Sequence, residues 1–150
     1  MTQEDKGLLL KDLCARLPFG IYVKDIRQRT KVCKIYELKP SHIYCLTLIP
    51  ISDSYYYQAY SCDIDSVRPY LRPISSMTED EKREIYDWLV ENDVDWFDFI
   101  KLRLDEILIS FDSSWLLVNW LNAHHFDYRG LIERGIAIEA PEEMYNSKIE

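Results

Sequence analysis

A single change of hydrophobic period, near residue 75, sets the architecture open to this chain. Between Phe19 and Ile74 apolar and polar residues alternate in short runs. Beyond Ser75 apolar residues recur at three- and four-residue spacing. Strands repeat every two residues and helices every 3.6. A chain with that switch builds its strands before residue 75 and covers them from beyond it.

The first half supplies the strands. Ile21, Val23 and Asp25 alternate with Tyr22 and Lys24. Thr30–Leu38, Ser41–Ile49 and Ser54–Ser61 follow, rich in β-branched and aromatic residues. Val67–Ile74 carries Pro69 and Pro73, which predict an edge strand, because proline donates nothing to a ladder. Turn chemistry separates the runs at 27–29, 39–41 and 52–54. Such short strands suit a small SH3-like antiparallel sheet or barrel. A sheet this small needs a cover. One cover is a leading helix over 4–17, with Leu9, Leu13 and Leu17 on one face and Leu10 beside them, stopped by Pro18 and Gly20.

The second half is helical in pattern. Thr78 precedes Glu81 by three residues, a capping box. Ile85, Trp88 and Leu89 then mark a helix to about Glu91. Residues 95–111 fit either a helix or a hairpin around Asp105-Glu106, and we read a hairpin. Asp112 or Ser113 caps a helix whose stripe is Leu116, Leu117, Trp120 and Leu121, running to about His124. Asp127 caps a further short helix, Tyr128–Arg134, which Gly135 stops. Ile136–Glu139 is extended, with a tail from Pro141. The expected fold is α+β: a β module over 1–77 and a helical or α/β module over 78–150, packed as one body.

Charge narrows the function classes. The net charge is −8, unevenly placed. Residues 1–78 hold 11 Lys+Arg against 8 Asp+Glu, a balance of +3; residues 79–150 hold 7 against 18, a balance of −11. That disfavours a general nucleic-acid binder, which needs clustered cations. Cys14, Cys33, Cys45 and Cys62 form no CxxC pair, so they read as reduced core residues and not as a zinc site. The polar start MTQEDKG is unlike a signal sequence, and no apolar run approaches the ~20 residues of a membrane helix. A cytoplasmic setting without membrane contact is the expectation.

Among the chemistry-bearing residues, His124, His125 and Asp127 form the one cluster resembling a site. Two imidazoles and a carboxylate suit a divalent metal, with Glu133 or Glu139 to complete it, as in a metal-dependent hydrolase. Neighbouring residues at a helix end point about 100° apart, which disfavours shared ligation. A helix C-terminus followed by a cap explains the same residues. Arg129, in DYRG, has the fork geometry for a carboxylate or phosphate, or is simply solvated. Tyr55 and Tyr57 could stack bases, but Asp53, Asp63 and Asp65 flank them. They read better as an interface, as do Tyr70 and Arg72, with Arg68 adding to a cationic cluster. No nucleophile elbow and no glycine-rich phosphate loop occurs. We assign no catalytic residue, metal or cofactor.

Three blocks, LCARLPFG (13–20), PYLRPISSMTEDEK (69–82) and WLNAHHFDYRGLIERGIAIEAPEEMY (120–145), together resemble a family of uncharacterised proteins encoded by Bacteroidetes genomes and by their phages and mobile elements. The resemblance covers most of the chain and is loose over about 21–65 and 92–115. It implies a prokaryotic or phage origin and carries no site. The expected function is a non-enzymatic binding or interaction protein of that origin, its partner a protein. A hydrolase built on His124, His125 and Asp127 and a nucleic-acid-binding accessory protein are the alternatives.

Overall fold

The structure, a computed structural model, describes residues 1–28, 32–39, 45–50, 59–91 and 115–145. The expected hairpin at 95–111, the caps Asp112 and Ser113, and the tyrosines Tyr55 and Tyr57 lie outside these residues.

Helix α1 spans Gln3–Arg16. Thr2 caps it: its hydroxyl accepts from the Asp5 amide at 3.1 Å, and the Asp5 carboxylate accepts from the Thr2 amide at 3.2 Å. Pro18 sits in a 3-10 turn over Leu17–Phe19, and Gly20 leaves it with φ 71°, where a side chain would be strained. The expected stop is therefore made by the residues predicted for it. One face of α1 buries Leu9 and Leu13 together with Asp12 and Arg16.

The strands are β1 (Tyr22–Asp25), β2 (Val32–Lys39), β3 (Cys45–Pro50), β4 (Tyr60–Asp63), β5 (Val67–Leu71) and β6 (Ile138–Glu139), in the sheet order β4-β3-β2-β1-β5-β6. All neighbours are antiparallel except β5 and β6. The fold is α+β, with a mixed sheet. No ladder joins β4 to β5 among the described residues, so the hydrogen-bonded sheet is open and not a closed barrel. It is nonetheless strongly coiled. Only the 3-10 turn Ile64–Ser66 links β4 to β5, a reach of about 14 Å, whereas four flat strand spacings would need about 19 Å.

Two expectations are corrected here. The prolines do not place 67–74 at an edge, because β5 pairs with β1 on one side and β6 on the other. Pro69 is tolerated because the two-residue β6 begins to pair only at Tyr70, past the missing donor. Residues 128–134 form turns and not a helix. The Asp127 carboxylate accepts from the amides of Leu131 at 3.0 Å and Ile132 at 2.8 Å. The amides of Ile136 and Ala137 both return to the Leu131 carbonyl, which closes the loop before a helix can propagate.

Helix α2 spans Glu79–Glu91 and uses the predicted box: the Glu81 amide donates to the Thr78 hydroxyl at 3.2 Å, and the Thr78 amide to the Glu81 carboxylate at 2.9 Å. Helix α3 spans Trp115–Ala123 and buries Leu117, Trp120 and Leu121. The main core joins Leu9, Leu13, Ile21, Val23, Cys33, Ile35, Cys62, Ile64, Val67 and Leu71 to Leu131, Ile136 and Ala137. Residues from both sides of the 75–77 junction thus share one interior.

Candidate functional site

The site grows from the corner after α3. The chain turns at His125, the one described non-glycine residue with positive φ, at 61°. That left-handed conformation costs a β-carbon side chain about 1 kcal/mol. Tertiary bonds hold it: the Arg72 amide donates to the His125 carbonyl at 2.8 Å, and the Asp127 amide to the Arg72 carbonyl at 2.7 Å. The bridge lays Phe126 beside Arg72 and buries its ring completely.

This corner separates the three residues of the metal reading. The His124 ring stacks on Trp120, with centroids 3.7 Å apart, and its Nδ1 lies 2.9 Å from the Trp120 carbonyl. The His125 ring turns the other way and stacks on Tyr145 at 3.9 Å. The Asp127 carboxylate is occupied by two backbone amides. Among the described residues no three His, Cys, Asp or Glu side chains are grouped to hold a metal.

Arg129 reaches back to α1. Its Nε donates to Asp12 at 3.2 Å, while its guanidinium lies over the Tyr128 ring. Asp12 also accepts from Arg16 Nε at 2.8 Å and Nη2 at 3.1 Å. Arg16 Nη2 donates further to the Phe126 carbonyl at 2.7 Å, and Nη1 is buried without a partner. Asp12 and Arg16 are both 0% exposed. One carboxylate therefore serves two guanidiniums, a local balance of +1 at the seam between α1 and the corner.

A cleft of about 330 Å³ opens beside this seam, lined among others by Lys34, Arg72, Glu81, His124, His125 and Tyr145. Two stacks flank it, each with a cation at one end and a histidine at the other. In the first, Lys34 lies over Tyr22 at 5.0 Å, Tyr22 packs on Tyr145 at 5.4 Å, and Tyr145 on His125. In the second, Arg72 lies over Phe126 at 4.3 Å, Phe126 stacks with Trp120 at 5.9 Å, and Trp120 with His124. Arg72 is held by a bidentate pair with Glu81, at 2.6 and 3.0 Å.

Tyr145 completes the sheet as well as the cleft. The pairing of β1 and β5 begins at Val23 and Pro69. Beyond it the Tyr22 amide donates to the Tyr145 hydroxyl at 3.3 Å, and that hydroxyl donates to the Tyr70 carbonyl at 2.8 Å. Burial raises the Tyr145 phenol above its ordinary value. His125 is 6% exposed, and its Nδ1 is buried without a partner. Burial first, then the neighbouring Arg16 and Arg72 guanidiniums, push its imidazole down to about 3, so it is neutral at pH 7.

Of the residues expected from sequence, His124, His125 and Arg72 line the cleft, Tyr70 supports it through its carbonyl, and Asp127 and Arg129 brace the corner. Sequence reasoning missed Lys34, Tyr22 and Tyr145, which come from β2, β1 and the tail. It also missed Asp12 and Arg16, although a charged pair at i, i+4 among the leucines of α1 was a usable signal. No family model, no curated protein and no solved structure matches this chain.

Proposed function

We propose that this chain is a non-enzymatic binding protein that recognises a segment of a partner protein in the cleft at the α3 corner. One cation–aromatic stack, Lys34 over Tyr22 with Tyr145 and His125 beyond it, lines a concave site and carries this reading. Tyr, Trp and Arg dominate recognition sites because they offer large rigid contact area with a polar or charged end. The volume is at the low end for ligand pockets and suits one or two side chains. The groups a hydrolase would need are engaged elsewhere: His124 stacks, Asp127 caps and Glu81 holds Arg72. The acidic first turn of α2, with Glu79, Asp80 and Glu81, opposes a polyphosphate chain alongside the cleft.

The scaffold in this reading is an SH3-like sheet, coiled beneath α1, that presents Tyr22 and Lys34. Four cysteines without a CxxC spacing favour a reducing, cytoplasmic setting. A phage or mobile-element origin rests on the sequence resemblance.

The test is peptide-library panning on the full chain, with Tyr22→Ala and Met144→Glu as controls, since Met144 also lines the cleft. A consensus that wild type enriches and both folded variants lose is the expected result. Equal enrichment by the variants, or none by wild type, would discard the proposal.

A further inference from the structure

We infer that the group recognised in this cleft is a carboxylate of the partner segment, held by Lys34 on the Tyr22–Tyr145 side. The inference rests on the binding role proposed above and adds the chemistry of the ligand. Lys34 is exposed, and its ammonium lies over the Tyr22 ring. It pairs with no carboxylate among the described residues, unlike Lys6 and Lys82, which meet Asp65 and Glu79. The carboxylate in the cleft wall is Glu81, and both its oxygens are held by Arg72. Glu84, a further acid, is 3.9 Å from His124 Nε2 and accepts from Trp120 Nε1 on the opposite stack.

The charges behind the wall point the same way. Asp12 balances only one of the two guanidiniums of Arg16 and Arg129. Arg16 is close enough for its charge to act on both His125 and Tyr145. Together with Lys34 this places positive charge on the Tyr22–Tyr145 side of the cleft, in a chain whose net charge is −8. An anion entering here meets an opposite charge inside a repelling envelope. That arrangement admits a single carboxylate and turns away extended polyanions. The aromatic faces of Tyr22 and Tyr145 exclude water from one side of Lys34, which strengthens the ion pair.

The experiment is an NMR titration of the full-length labelled chain with sodium acetate and, separately, inorganic phosphate. Acetate should shift the His125, Tyr145 and Tyr22 signals saturably. Lys34→Gln should weaken it about tenfold or more, and Lys34→Arg should restore it, since the charge and not the lysine itself is needed. Because Lys34 is exposed, these variants keep the fold, and an unchanged spectrum elsewhere checks this. Non-saturable shifts, full binding by Lys34→Gln, or tighter binding of phosphate would overturn the inference. In the library experiment, a consensus lacking Asp, Glu or a terminal carboxylate overturns it while leaving the binding role intact. A saturable acetate site with no enriched peptide removes the protein-partner role instead.

Discussion

Removing the Asp12 carboxylate tests the internal logic of the site most severely. In Asp12→Ala the guanidiniums of Arg16 and Arg129 lose their shared counter-charge, and Arg16 is 0% exposed. Arg16 would keep one bond, to the Phe126 carbonyl, and could not reach water without opening the seam. Breaking a buried pair from one side costs about 3–5 kcal/mol. The better helix propensity of alanine offsets about 0.5 kcal/mol of this. A chain this long has about 5–15 kcal/mol in total, so the loss is a large fraction. At about 3 °C per kcal/mol, the midpoint should fall by roughly 8–14 °C. The paired change Asp12→Leu with Arg16→Met removes both charges and keeps the volume, and should recover most of the loss. Urea unfolding of the three proteins measures both effects. A loss below about 1 kcal/mol for Asp12→Ala, or no recovery in the double variant, would show that charge pairing is not what holds α1 to the corner.

Further outcomes follow from single contacts. Tyr145→Phe keeps both ring stacks but strands the Tyr22 amide and the Tyr70 carbonyl, so urea unfolding should show a loss of about 1–3 kcal/mol; an unchanged midpoint would mean water replaces the hydroxyl. His125 titrates at about 3 in the folded chain against about 6.5 unfolded. Between these values the unfolded form binds more protons, so stability is flat above pH 6.5 and falls as pH drops below it, by about 2 kcal/mol at pH 5. The difference between wild type and His125→Gln isolates this term from the carboxylates, and parallel pH profiles for the two proteins would contradict it. Thr78→Ala removes the α2 cap and should cost about 1 kcal/mol; a neutral thermal midpoint would show that Glu81 needs only Arg72 to stay in place.

How much was legible in the sequence depended on the range of the interactions. The stop of α1 and the Thr78 box were readable because each is made by residues three positions apart. The strand periods were readable too, because a half-buried sheet imposes alternation along each strand. Tyr128–Arg134 misled: a cap and a stopping glycine predicted a helix, but long-range packing of Leu131 and Ile136 into the sheet core selected turns.

The cleft belongs to the tertiary structure. Tyr22 and Tyr145 stand 123 residues apart, and Arg16 and Phe126 stand 110 apart. No local pattern signals such partners, since each residue is locally unremarkable. The sequence by itself determined the α+β class, the stop of α1 and the start of α2, because caps, glycines and hydrophobic period act within a few residues. Only the tertiary structure decided that His124 and His125 part company, that one aspartate neutralises two arginines, and that a tail tyrosine bridges two strands. Coiling the sheet brings distant side chains into one low-dielectric space, and there their charges and rings act together.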